Sequence, residues 1–83
     1  MTRILFFGRV SDAAGCSELS VELPHAVASV GQVRAWLALR DEALASVILS
    51  PSVRAAIDRT FCTDDAATAG AAEIAFMSPL SGG

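Results

Sequence analysis

The segment Arg3-Ile4-Leu5-Phe6-Phe7-Gly8-Arg9-Val10 is rich in strand formers and apolar on both faces. A strand of that kind belongs in the middle of a sheet, with neighbours on both sides. A chain of 83 residues fits one compact domain, so those neighbours must be short strands of the same domain. Glu18 to Leu23 alternates polar and apolar, the pattern of a half-buried strand, and Pro24 ends it. Ser11 to Ser17, with Gly15, reads as the turn or loop that joins these two strands into a hairpin.

Ser29 and Gln32 have capping-box spacing. Behind them Val30, Val33 and Leu37 form one stripe, with Trp36 beside it, predicting an amphipathic helix to about Arg40. Asp41 to Leu49 is predicted as a second short helix capped by Asp41 and stopped by Ser50-Pro51. Val53 to Asp58 and Thr60 to Thr63 follow as short strands. With Asp58-Arg59 as a two-residue turn, Ile57 pairs with Thr60, Ala56 with Phe61 and Ala55 with Cys62. Asp64 to Ala72 reads as a flexible loop, and Glu73 to Ser78 as a last alternating strand.

Two hairpins thus flank a helix, an order that places the first and last strands side by side and parallel. The predicted fold is α+β: a ubiquitin-like β-grasp with a mixed sheet of about five strands, one main helix and a short second helix. Residues 1–78 are expected to be the β-grasp domain and 79–83 an extended tail.

In that tail, Pro79 ends the strand and Leu80 and Ser81 lead to Gly82 and Gly83. A Gly-Gly end has no side chains, so it can thread a narrow channel and bring a carboxylate to a partner's reactive atoms. A carboxylate is ionised at neutral pH and a poor electrophile. Adenylation by ATP would activate it, after which a sulfur nucleophile gives a thiocarboxylate and an amine gives an amide. The shape of the tail permits both, and an inert end as well.

Alternation along the strands sets Ile4, Phe6, Ile74 and Phe76 toward a core. Phe7, Phe61 and Met77 then form an apolar outer patch beside the tail, suited to docking a partner. Apolar residues make up 53% of the chain and mean hydropathy is +0.52, more than so small a core requires even after discounting alanine.

Net charge is -3, and all six basic residues are scattered arginines, so no nucleic-acid-binding stripe is present. There is no lysine. Cys16 and Cys62 lack metal-ligand spacing and there is one histidine, His25, so no metal site and no bound cofactor are expected. Asp64-Asp65 reads as a solubilising pair, His25 as solvated, and Trp36 as packing. No run is long enough for a membrane span, and Met1 to Phe7 is too short for a secretory signal, which leaves a cytoplasmic location as the expectation.

Three stretches together resemble the MoaD/ThiS-like ubiquitin-related family, and within it the small subunit of molybdopterin synthase. They are Ile4 to Val10 with Gly15, Val53 to Arg59, and Glu73 to Gly83. The departures are Asp58 where the family has Asn, Met77 where it more often has an aromatic, and Ser78 where it more often has a second proline. The resemblance implies that an E1-like adenylating enzyme uses ATP to activate Gly83 and that a sulfur donor protein makes the thiocarboxylate. The tail then enters the large subunit of a heterotetrameric molybdopterin synthase and gives sulfur to a pyranopterin precursor. The chain would then be a sulfur-donor subunit, not an enzyme by itself. Sulfur carriage for thiamin or cysteine synthesis, conjugation to lysines of other proteins, and simple binding remain the alternatives.

Overall fold

The computed structural model describes residues 1–78. Pro79, Leu80, Ser81, Gly82 and Gly83, which bear the tail reading, lie outside the described residues. The elements are β1 (Thr2–Phe7), α1 (Arg9–Ala14), β2 (Glu18–Val21), α2 (Val30–Arg40), α3 (Glu42–Ile48), β3 (Arg54–Ile57), β4 (Thr60–Cys62) and β5 (Glu73–Met77). The sheet order is β2-β1-β5-β3-β4. β1 and β5 run parallel in the middle, with Ile4 opposite Ile74 and Phe6 opposite Phe76, and the remaining pairs are antiparallel. This is the β-grasp predicted from the order of elements.

The helices cover one face of the sheet. Ile4, Phe6, Ala55, Ile74 and Phe76 point into that side, against Val30, Val33 and Leu37 of α2, Leu44 and Ile48 of α3, and Val10 of α1. Each large side chain buried this fully stabilises the fold by about 1.5–3 kcal/mol relative to exposure. Ser29 caps α2, its Oγ accepting the Gln32 N–H at 3.3 Å. The Gln32 side chain reaches back one residue beyond the usual box and accepts the Ala28 N–H at 2.8 Å. Asp41 caps α3 through the Leu44 N–H at 3.1 Å.

Three local expectations need correction. The first strand stops at Phe7, and Arg9–Ala14 is helical where a loop was expected, so three helices and not two cover the described residues. Val10 is driven inward to full burial, which a loop of this composition did not announce. The connection from Asp64 to Ala72, expected as a flexible loop, is stitched to the start of α2. Gly31 N–H donates to Asp64 O at 2.8 Å, Val30 N–H to Ala66 O at 3.1 Å, and Thr68 N–H to Ala28 O at 3.0 Å. Asp64 is also more than a solubilising residue, since its Oδ1 accepts from Arg34 Nε at 2.9 Å.

Arg34 itself is buried, with 8% of its surface exposed. Its Nη1 donates to Ile48 O at 2.8 Å and its Nη2 to Val53 O at 2.6 Å. One guanidinium therefore closes the C-terminal end of α3 and holds the approach to β3, with the Phe76 ring 5.4 Å away.

Candidate functional site: an apolar sheet face and the end of the last strand

Because all three helices lie on one side, the other side of the sheet is open. The register lines its residues up in rows. Phe7, Met77 and Arg54 form the row nearest the end of β5, and Leu5, Ala75, Ala56 and Phe61 form the next. Phe7 is 48% and Phe61 59% exposed, large values for phenylalanine, whereas Leu5 and Met77 are half-buried. Ala56 and Ala75 are small and form the floor of a shallow depression between the larger side chains. Phe7, Phe61 and Met77, expected to share an outer patch, are thus brought together on one face. Leu5 and the alanine floor complete it.

The polar rim is uneven. At the start of β1, Arg3 Nη2 donates to Glu73 Oε2 at 2.6 Å, and its Nε lies 4.0 Å from Glu18 Oε2. The hydrogen bond to Glu73, helped by both carboxylate charges, raises the Arg3 pKa further above its ordinary value. On the hairpin side, Arg54 lies over the Phe61 ring at 5.0 Å. Asp58 and Arg59 form the turn with φ of 47° and 72°, the left-handed pair that a two-residue hairpin requires. Asp58 Oδ1 accepts from the N–H groups of Ala72 and Glu73 at 3.1 and 2.9 Å, which ties the turn to the start of β5.

The chain leaves the sheet at Ser78, whose Oγ accepts the Arg9 N–H at 3.0 Å. Arg9 opens α1, and Gly8 before it provides no side-chain cap, so a residue 69 positions away supplies one. Gly8 adopts φ 63° and ψ -133°, and a Cβ there would stand 2.5 Å from Ser78 Oγ. Only glycine satisfies both the backbone and the close approach. Sequence reasoning found neither this clasp nor Arg54. The single cue was Gly8 itself, placed directly after a central strand.

Among the described residues, no group of three or more His, Cys, Asp or Glu side chains could hold a metal ion. His25 is exposed, and Cys16 and Cys62 are free thiols. Burial pushes the Cys62 thiol up from its ordinary pKa. Trp36 is half-buried with Arg40 stacked on it at 4.7 Å. No helix among the described residues is long and apolar enough to cross a membrane.

A β-grasp sheet with one open apolar face beside the exit of its last strand defines a ubiquitin-like small protein of the carrier and modifier class. The chain matches the ThiS family over residues 4–83 and belongs to it. Small proteins of this kind are generally non-catalytic sulfur carriers or modifiers that meet E1-like enzymes. No curated protein matches the chain. Among solved structures, SAMP1 from Haloferax volcanii is similar, with a TM-score of 0.81 and 24% identity over 99% of this chain and 98% of that one. A crystal structure of H. volcanii small archaeal modifier protein 1 is similar at a TM-score of 0.79 and 21% identity, over 95% and 97% of the two chains. At these identities the likeness speaks to the fold.

Proposed function

We propose that the protein is a sulfur carrier in molybdenum cofactor biosynthesis, working through the Gly83 carboxylate as the donor subunit of molybdopterin synthase. The Gly83 carboxylate attacks the α-phosphate of ATP on an E1-like enzyme, and pyrophosphate leaves. Hydrosulfide, released from a donor protein's persulfide by a thiol reductant, attacks the carbonyl carbon of the adenylate and loses its remaining proton. A C–S bond forms, the C–O bond to AMP breaks, and a thiocarboxylate results. On the large subunit the thiocarboxylate sulfur displaces an oxygen substituent from a carbon of the pyranopterin precursor, and water then cleaves the resulting thioester, leaving sulfur on the precursor and restoring the carboxylate. Adenylation lowers the barrier by giving the carbonyl a good leaving group, a task the activating enzyme performs and this chain undergoes.

What supports this reading, beside the family, is the position of Ser78. Ser78, after which 79–83 follow in sequence, lies next to the row of Phe7 and Met77. A partner that grips the open face therefore meets the tail at its root. Pro79, Leu80, Ser81 and Gly82 then serve as the lead that brings Gly83 to the reacting atoms.

The test is intact-protein mass spectrometry after incubation with ATP, a cognate activating enzyme and a sulfur source, beside a variant lacking Gly83. A gain equal to one sulfur replacing one oxygen, absent from the variant, is expected. No gain, with the enzymes shown competent on a control carrier, refutes the carrier chemistry. Transfer of the sulfur to a pyranopterin on the large subunit then separates this pathway from thiamin or cysteine synthesis.

A second reading, a protein modifier, is favoured by the word modifier in the name of a structural neighbour. It predicts amide-linked adducts on other proteins. This chain has no lysine and so offers no side-chain amine to another copy of itself.

A further inference from the structure

The ladders that hold β5 stop one residue before the last that the structure describes. Met77 is paired on both sides, with Phe7 of β1 and Arg54 of β3, and Ser78 lies beyond the last pair of either ladder. From there strand pairing no longer sets the direction of the backbone. The side chain of Ser78 takes over, its Oγ accepting the Arg9 N–H at 3.0 Å. The donor is itself well fixed. The carbonyl of Gly8 accepts the N–H groups of Ser11 and Asp12 at 3.1 and 3.3 Å and the hydroxyl of Ser11 at 2.8 Å. Val10, next after Arg9, is fully buried. The Arg9 N–H thus sits between a pinned turn and a core side chain.

The geometry leaves little play. A Cβ on Gly8 would stand 2.5 Å from Ser78 Oγ, so the hydroxyl lies directly against the backbone that follows β1. A serine hydroxyl is one staggered torsion from its own backbone, so holding Oγ also holds the Cα. Direction matters because five residues follow Ser78 in sequence. Five residues reach at most about 17 Å. A swing of about 30° at their start displaces the far end by up to about 9 Å. Reacting atoms, by contrast, must meet at about 3–3.5 Å.

We propose that Ser78 is a positioning residue for the chemistry at Gly83: its hydroxyl, held by the Arg9 N–H, sets the direction in which the chain leaves β5. This rests on the carrier reading. It adds a residue of this chain that orders the carrier before any partner binds. The same bond caps α1, so direction and stability must be separated, and the loss of a cap in another helix does so.

The experiment follows pyrophosphate release in single turnovers of the full chain with ATP and excess cognate activating enzyme. It compares the wild type, Ser78→Ala, Ser78→Thr and Ser29→Ala, all well below their melting temperatures. Ser29→Ala removes the cap of α2 and is the control for stability. For Ser78→Ala the rate at saturating enzyme should fall about fivefold, the size expected for one hydrogen bond that favours the productive direction. The half-saturating enzyme concentration should stay unchanged, since the contact acts on the bound carrier. Ser78→Thr, which keeps a hydroxyl on the β-carbon, should recover most of the rate. Ser29→Ala should lower the melting temperature about as much as Ser78→Ala and keep the wild-type rate. A wild-type rate for Ser78→Ala, an equal fall for Ser29→Ala, or a Ser78→Thr no faster than Ser78→Ala overturns this proposal and leaves the carrier reading standing. Failure of the wild type to release pyrophosphate, with the enzyme competent on a control carrier, overturns both.

Discussion

Replacing Gly8 by alanine should be among the most damaging changes a single methyl group can make in this chain. The added Cβ would stand 2.5 Å from Ser78 Oγ, inside any real contact distance. The backbone at φ 63° and ψ -133° is also a conformation that alanine avoids, at a cost of about 1–3 kcal/mol. Moving Ser78 aside sacrifices the bond from Arg9 N–H, which contributes about 1 kcal/mol. The combined cost is about 2–4 kcal/mol. A domain of this size holds roughly 4–12 kcal/mol in all. Urea unfolding followed by circular dichroism measures the loss. A Gly8→Ala, Ser78→Ala double-mutant cycle divides it, because removing Oγ relieves the clash but not the backbone strain. Gly8→Ala should therefore cost about 1 kcal/mol less in the Ser78→Ala background. An equal cost in both backgrounds would show that the approach to Ser78 is not what requires glycine. A cost below about 0.5 kcal/mol would refute both parts.

Arg34→Met should cost about 3–5 kcal/mol by thermal melting, because the Ile48 and Val53 carbonyls lose a buried donor. Asp64→Asn should cost under about 1 kcal/mol, because the Asp64 side chain is 60% exposed. Asp58→Ala should cost about 2 kcal/mol in urea, since it removes the acceptor for two N–H groups and places alanine at φ 47°. Asp58→Asn, which keeps an acceptor and tolerates that backbone, should stay within about 0.5 kcal/mol of wild type. Cys62 has a thiol pKa raised by burial from its ordinary 9.0, so the fold favours the neutral thiol. That contribution is full below 9.0 and is lost as pH rises through the raised value. Melting temperature should therefore fall more steeply from pH 9.0 up to the raised value in the wild type than in Cys62→Ala, and parallel curves across that window would refute the assignment.

What could be read in advance was what strand period and turn chemistry govern. Asp58-Arg59 sits between two short apolar runs, and a two-residue turn leaves one register, the one observed. Alternation along β1 and β5 separated Phe7 and Met77 from Ile4, Phe6, Ile74 and Phe76 because a strand has two faces and only one is packed. The cap at Ser29 was readable because its acceptor and donor are three residues apart. The failures all involve partners distant in sequence. α1 has only six residues, too few to be stable alone, and it exists because Val10 is buried and Ser78 caps its start. Arg34 lies on the buried side of α2 and read as one more scattered cation, since its partners are mostly backbone carbonyls and no side-chain pattern marks those. The run from Asp64 to Ala72 is small and polar, which suits a loop. Its hydrogen bonds to the start of α2 leave no trace in composition.

A sheet covered by helices on one side normally makes its other side polar. Here that side carries Leu5, Phe7, Phe61 and Met77, and the parallel pairing of β1 with β5 decides where they stand. Parallel neighbours end at the same edge, so Phe7 reaches Met77 and the next residues, Gly8 and Ser78, meet. The open face and the clasp at the tail's root are thus two consequences of one register. A slip of β5 by one residue would turn Ile74 and Phe76 out of the core, so the core holds both in place. For the proposed carrier function that arrangement matters, because Gly82 and Gly83 offer a partner no side chain to grip and the sheet face beside Ser78 can supply the contact instead.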